Sequence, residues 1–276
     1  SKYFWVKGMK ARVKWLDHMS FVGESGSGHS VVMDGAPDSG GRNLGPRPME
    51  MVLMGMGGCT EFDVLLILRK GRHEVTFDQW DACVADGGCT HRPDDAGWGR
   101  GDRPVMMVSW NDAQEYTAWL SQKTGQSYSL PSESQWEYIA RAGEESDWLG
   151  GSPAGICQFA NIAGRESGFR WQHEDCADSV AIETLPVGSL KPNAFGIYDV
   201  IGNVAEWTLD CMNLSYLDAP ADGSAWGRGI CSSRMTRGGS WFTGSREVRL
   251  PARFNLKNGD RNDFTGFRVV RKVEPL

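Results

Sequence analysis

The chain has 276 residues, 40% of them hydrophobic and 23% charged, with a formal net charge of −6. That length suits one large domain or two modest ones with enough apolar mass for a buried core. With no basic run the chain is not built to hold nucleic-acid phosphates, and with no run of about 18 apolar residues it offers no membrane span.

In chain order, Ser1-Lys2-Tyr3-Phe4-Trp5 lacks the charged-then-apolar order of a signal peptide, an order a mature chain would have lost. Met9–Trp15 alternates as a strand does, and His29–Met33 is a second strand. Asp34–Pro48 is rich in Gly, Pro, Asn and Asp and reads as a loop. Met49–Lys70 reads as an apolar helix with Gly71 as its C-cap, weakened at its front by Gly55, Gly57 and Gly58. Near residues 70–74 the texture changes, and Trp, Gly and Asn punctuate short elements. Thr76–Cys83 reads as an N-capped helix. Ser109–Leu120 is a clearer one, capped by Ser109 or Asn111, with Ala113, Tyr116, Trp119 and Leu120 on its core face. Ser132–Tyr138 opens on a Ser-x-x-Gln capping box. The rest reads as short strands and turns, with Thr265–Lys272 as a closing strand. The class is α+β, without a solenoid repeat.

Two composition features point to an irregular, loop-rich core. The 12 Trp supply large rings whose N–H groups need partners, and the 35 Gly supply tight turns. Six of the 7 cysteines fall in close pairs, Cys83 with Cys89, Cys157 with Cys176 and Cys211 with Cys231, while Cys59 stands alone. An even set invites a disulfide reading; six buried thiols in a reducing compartment is the alternative. No pair has CxxC spacing, so zinc is not expected.

Several blocks then occur in one order: Glu74-Val75-Thr76, Val108-Ser109-Trp110-Asn111-Asp112-Ala113, Leu130 to Tyr138, and Pro192 to Asp199. Gly202-Asn203-Val204-Ala205-Glu206-Trp207, Arg237-Gly238-Gly239-Ser240-Trp241 and Gly266-Phe267-Arg268 complete the set. From His73 to Lys272 this resembles the formylglycine-generating-enzyme, or sulfatase-modifying-factor, family. The resemblance implies a C-type-lectin-like α+β fold over residues 73–276.

What that family implies is carried over position by position. Its calcium would fall on the side chains of Asp199 and Glu206 and the carbonyls of Gly202 and Val204, an oxygen set on bent backbone that suits the ion. The competing view is a tight turn with a solvated Asp and a Glu that caps amides. A second calcium would use Asn161 and the carbonyl of Ile162, completed by Asp175 or Asp178, where a plain surface loop is the competing view. The family's two copper cysteines correspond to Thr243 and Val248, so copper is not expected: soft Cu(I) needs thiolates. The same stretch carries Arg246, Arg249, Arg253, Asn255, Asn258, Arg261, Asn262 and Arg268. Arg246, Arg249 and Asn255 are candidates for a ligand surface. Arg237 and Arg268 are expected to pair with buried carboxylates such as Glu133, Glu137 or Glu206. His73, His91 and His173 have no facial-triad spacing. Trp241–Gly266 is placed like the varied stretch of the variable proteins of diversity-generating retroelements. Other relatives, in siderophore-chromophore maturation, are enzymes without the cysteine pair.

Residues 9–72 carry a different set of blocks: Met9 to Trp15, Gly26-Ser27-Gly28-His29, Pro48 to Met54, Gly57-Gly58-Cys59 and Phe62-Asp63-Val64. These resemble the first half of an OsmC-like peroxidase, which implies a partial α+β segment over 1–72. Cys59 matches its peroxidatic cysteine, Glu50 its positioning carboxylate, and Arg42 or Arg47 its arginine. A buried helix thiol is the competing view of Cys59. The second half of that fold is missing, which suggests a fusion or an artificial sequence.

Three functions follow from these resemblances. The first is a calcium-stabilised binding module for a peptide, protein or small-molecule ligand. The second is a cysteine-independent enzyme acting on a peptide or siderophore precursor, and the third a thiol peroxidase through Cys59. Paired cysteines favour an oxidising compartment and the peroxidase-like segment a cytosolic one; the balance points to the periplasm or exterior.

Overall fold

The computed structural model describes residues 2–6, 9–25, 29–51, 72–176, 182–244 and 246–271. The chain divides into two compact units between Asp63 and Val64.

In the first unit, β1 (Lys2–Val6), β2 (Met9–Asp17), β3 (Ser20–Ser25) and β4 (Ser30–Met33) form an antiparallel meander in that order. Two of these strands match the alternation in the sequence. β1 and β3 were not expected, because Lys2–Val6 and Ser20–Ser25 do not alternate cleanly between apolar and polar. The loop that follows is organised by Asp34, which is fully buried. Its carboxylate accepts the backbone N–H groups of Gly35 (2.8 Å), Arg42 (3.0 Å) and Leu44 (3.1 Å). These donors favour the charged form and pull its pKa down to about 2. The expected helix after Met49 begins at Pro48–Met51 and otherwise lies outside the described residues.

The second unit opens with α1 (Phe77–Ala85) and α2 (Trp110–Thr124), then β5 (Tyr128–Ser129) and α3 (Glu133–Arg141). All three helices start with a capping box, on Thr76–Gln79, Ser109–Asp112 and Ser132–Gln135. In each, two otherwise unpaired backbone donors are satisfied by side chains three residues apart. The sheet is built from β6 (Ala205–Met212), β7 (Ile230–Arg237), β8 (Arg253–Lys257) and β9 (Thr265–Gly266), in the order β8-β7-β6-β9. β10 (Val270–Arg271) pairs instead with β5. The expected closing strand Thr265–Lys272 is therefore two short pieces. Between them Phe267 and Arg268 turn inward, 0% and 1% exposed, and their burial takes precedence over strand continuity.

Two apolar clusters fill this unit. In one, Trp80 stacks on Tyr116 with centroids 5.8 Å apart, and Phe267 meets both rings edge-on. In the other, Trp136, Ile139, Ile156, Ile162, Ile197 and Val248 pack together. The indole N–H groups pin loops to these clusters. Trp80 donates to the His91 carbonyl (3.1 Å), Trp207 to Val108 (3.0 Å) and Trp110 to Thr208 (2.9 Å). All six paired cysteines are disulfide-bonded, as Cys83–Cys89, Cys157–Cys176 and Cys211–Cys231. Long irregular segments are thus held by rings and cross-links where regular structure is sparse.

Phe267→Ala should destabilise this unit by about 3–5 kcal/mol, from lost burial and a residual cavity. Leu214→Ala, at a side chain 91% exposed, should stay within about 0.5 kcal/mol. Urea unfolding measures both, and equal midpoint shifts would contradict this placement of the core.

Candidate functional site

The segment between β7 and β8 shapes an opening of the second unit. β7 ends at Arg237, and Gly238 and Gly239 follow with φ of 90° and 67°. The turn after them is tied by Thr243, whose Oγ1 accepts the Ser240 N–H at 2.9 Å. Gly244 lies so close to the Trp171 carbonyl that an added Cβ would come within 1.9 Å of its oxygen. A hydrogen is all that fits there, and this fixes Trp171 against the turn. Its indole N–H reaches the Phe242 carbonyl at 3.0 Å.

A pocket of about 460 Å³ opens over this turn, lined by Trp171, Ser240, Phe242, Thr243, Glu247 and, from β8, Phe254 to Leu256, with Phe264 opposite. Its rim is aromatic. Phe169 and Trp171 stack with centroids 5.0 Å apart and planes 7° from parallel, and Phe242 stands edge-on to both at 5.2 Å. Trp171 is 46% and Phe242 37% exposed, so both rings remain open to a ligand. Among the described lining residues Glu247 is the one ionisable side chain.

The two positions that correspond to copper cysteines lie apart in character. Thr243 is on the pocket wall, and Val248 is fully buried in the cluster around Trp136. Neither offers a thiolate, so this donor set does not fit Cu(I). Of the three predicted ligand residues, only Asn255 lines this pocket. Arg246 and Arg249 line a second one of about 540 Å³ with Trp148, His173, Glu174 and Asp175. Arg249 is paired there with Asp147 at 3.3 Å. The single ligand surface drawn from the sequence is therefore split between two openings. The remaining arginines of the segment hold the fold. Arg237 bonds Glu133 (2.9 Å) and Glu137 (2.7 Å), Arg253 pairs with Glu133, and Arg261 pairs with Asp112.

The positions carried over for calcium surround a buried charge cluster. Glu206 is fully buried, and its carboxylate accepts from both the guanidinium of Arg268 and the Trp136 indole (2.8 Å). Asp199, with φ 54°, accepts the Gly188 N–H at 2.7 Å. Glu74 joins them: its oxygens accept from Val204 N–H (3.1 Å) and the Asn203 amide (2.8 Å). Burial pushes the Glu74 carboxyl well above its usual range, and the charges of Asp199 and Glu206 push it further. Asp199 is raised too, by burial first, with the Gly188 N–H and Arg268 acting against that. Three carboxylates thus face one guanidinium. Gly202, φ 80°, sits against Asn161, and an added Cβ would meet the Asn161 oxygen at 2.2 Å. The two candidate calcium segments are joined at this point, where the Asn161 carbonyl accepts the Asn203 N–H at 2.7 Å. The Asn161 amide also donates to the Glu183 carbonyl (2.9 Å), while its buried Oδ1 has no protein partner. Ile162 is buried beside it, Asp175 is exposed, and Asp178 lies outside the described residues.

Glu74 and Asn203 were missed as functional positions. Both lie inside the motif blocks, but pairing across 129 residues leaves no local spacing to read. In the first unit Cys59 lies outside the described residues, and Glu50 accepts the Arg47 N–H at 2.9 Å.

Comparison with known proteins agrees with this geometry. The profile of the Sulfatase-modifying factor enzyme 1-like domain matches residues 68–273. The formylglycine-generating enzyme of Streptomyces coelicolor is 34% identical over 183 residues, 64% of this chain and 55% of that protein. Protein YhfA of Escherichia coli K12 is 55% identical over 67 residues, 24% of this chain and 47% of that protein. The chain spans about half the length of these curated relatives. The structure of PvdO from Pseudomonas aeruginosa superposes with a TM-score of 0.61 at 37% identity, covering 73% of this chain and 79% of that one. The Treponema denticola variable protein 1 shares the fold, with a TM-score of 0.59 at 19% identity over 99% of both chains. The chain belongs to the sulfatase-modifying factor family.

The raised carboxylates set a pH dependence. A carboxylate with an elevated folded pKa binds its proton more tightly when folded. Its contribution to stability is full below the ordinary carboxylate range and is lost as pH rises through the folded value. In chelator, the wild type should therefore lose stability relative to Glu74→Gln as pH climbs from 4.5, the ordinary Glu value, towards neutrality. Melting temperatures at stepped pH measure this, and a pH-independent difference would remove Glu74 from the cluster's proton balance.

Proposed function

We propose that this sulfatase-modifying-factor domain is a calcium-stabilised binding module whose pocket takes an aromatic group of a small-molecule or peptide ligand. The wall of the pocket supports this most directly. Where thiolates would be needed for copper there are Thr243 and Val248, and the space above Thr243 is ringed by Trp171, Phe242, Phe254 and Phe264. Flat rings on such a wall gain from offset and edge-on contacts beyond the area they bury. Glu247 adds a negative charge at the wall, which favours a ligand bearing an amine beside its ring.

Calcium, when bound, ties oxygen ligands from separate loops to one positive centre. Asp199 and the carbonyls of Gly202 and Val204 would hold it, sharing Glu206 with Arg268. Asn161 and Ile162 would serve the second position. The excess of buried carboxylate over guanidinium and the unpartnered Asn161 Oδ1 support this assignment. The three disulfides support an oxidising setting, periplasmic or extracellular.

A second reading is a cysteine-independent enzyme in which Glu247 accepts a proton from a ring-bearing substrate. The presence of one carboxylate in an otherwise uncharged aromatic pocket favours it.

Calorimetric titration with tyramine and p-cresol tests the pocket. Saturable tyramine binding without conversion is expected, weakened about tenfold by Phe242→Ala, the worth of one aromatic contact. Glu247→Gln should weaken tyramine and leave p-cresol unchanged. Absence of saturation would dismiss the pocket, and conversion of either probe that is lost in Glu247→Gln would favour the enzyme. Calcium is tested separately by thermal unfolding. The melting temperature should rise with calcium over chelator in the wild type and stay level in Glu206→Ala. A level response in both would remove the ion.

A further inference from the structure

The second opening contains a group that neither the fold nor the aromatic pocket uses. His173 is 1% exposed, and neither of its ring nitrogens has a hydrogen-bond partner. A buried imidazole with both nitrogens unpaired is costly unless something fills the position. The side chains that face it are Cys157 and Cys176. One ligand atom from each of the three residues lies within 4.8 Å of the others.

The backbone holds these residues in place. The Cys176 N–H donates to the His173 carbonyl at 3.2 Å, closing a turn that puts both side chains on one side. The His173 N–H is bound to the Ala163 carbonyl (2.7 Å), and the Cys176 carbonyl accepts from Arg165 (3.1 Å). Arg165 also fastens the Glu174 carbonyl with its guanidinium. Cys157 comes from the short 3-10 turn Ala154–Gln158. Trp148 stands edge-on to the imidazole with centroids 6.3 Å apart. His173 also lines the second opening, with Glu174 and Asp175 beside it, so a cation has an approach from solvent.

We propose that Cys157, Cys176 and His173 form a redox-gated site for a thiophilic d10 cation, with Zn(II) its occupant when the Cys157–Cys176 disulfide is reduced. In the oxidised chain the two sulfurs are bonded to each other and cannot ligate. A dithiol reductant gives two electrons and two protons to the disulfide and is itself oxidised to a disulfide. The two thiols then release two protons as Zn(II) takes their place. Around a tetrahedral zinc with Zn–S bonds of about 2.3 Å the sulfurs stand roughly 3.8 Å apart, a small opening of the present cross-link. Two sulfurs and one imidazole leave a fourth position towards the opening, the ligand pattern of a zinc site that keeps an exchangeable water. A disulfide oxidant reverses the sequence: it takes two electrons from the two thiolates and two protons from solvent to become a dithiol, and Zn(II) leaves as the Cys157–Cys176 bond re-forms. No zinc motif marks this site in the sequence, because the ligands are 16 and 3 residues apart, outside any CxxC pattern.

The full chain, reduced with a dithiol and then freed of it under anaerobic conditions, is titrated with Zn(II) against a chromophoric chelator. About one tight equivalent is expected in the reduced chain, and none in the oxidised chain. Cys176→Ser should abolish it, and His173→Ala should weaken it roughly tenfold or more. Two readouts need no substitution. Co(II) should give tetrahedral d–d bands with thiolate charge transfer, and Zn(II) should protect Cys157 and Cys176 from alkylation in peptide maps. Equal binding in oxidised and reduced chains would overturn the proposal. So would a tight equivalent that survives Cys176→Ser, or protection that maps to other cysteines.

Discussion

The buried pairing of Glu206 with Arg268 is the contact on which the second unit depends. Glu206 is on β6, Arg268 lies between β9 and β10, and Trp136 donates to the same carboxylate from α3. The Arg268 guanidinium also reaches the carbonyls of Tyr198 (3.0 Å) and Asp199 (3.2 Å). One ion pair therefore fixes a strand, a helix, the closing segment and the turn where calcium is proposed. Taking two charges out of water gains little by itself, but removing one partner leaves a bare charge inside, at about 3–5 kcal/mol. The pair thus specifies the arrangement of these elements more than it adds to stability. It also explains why the closing segment cannot run as one strand: Arg268 has to leave the sheet to reach Glu206.

Much of this was legible in the sequence where the signal is local. The capping boxes on Thr76, Ser109 and Ser132 use partners three residues apart, and the six paired cysteines are close neighbours. Arg237 and Arg268 were expected to pair with buried carboxylates, and they do. What was not legible is set by distant partners. β6 and β7 pair with register shifts between Trp207 and Cys211 and between Cys211 and Met212, so no even alternation marks them in the sequence. Glu74 acquires its role from Asn203 and Val204, far along the chain. The residues drawn together as one ligand surface alternate between faces of an irregular segment, so Asn255 reaches one opening and Arg246 and Arg249 the other.

The stretch between the two buried arginines is anchored at both ends. Arg237 anchors its start through Glu133, Glu137 and the Leu250 carbonyl, and Arg268 anchors its end through Glu206. Both anchors are 0–1% exposed and lie outside the pocket. The two ends of the path between them are therefore held by contacts that do not involve the side chains of Phe242, Glu247 or Asn255, while the Thr243 hydroxyl ties the turn inside it. Phe242, Glu247 and Asn255 make none of the anchor contacts, whereas Thr243 ties the turn and Val248 and Leu250 complete the core around Trp136. A cysteine pair placed at positions 243 and 248 would need one thiol at the pocket wall and one at the present core position. In this chain the second position has gone to packing, and the pocket retains aromatic walls with one carboxylate. With both ends of the segment fixed by buried ion pairs, the chemistry of the opening is set by the side chains between them and not by the fold alone.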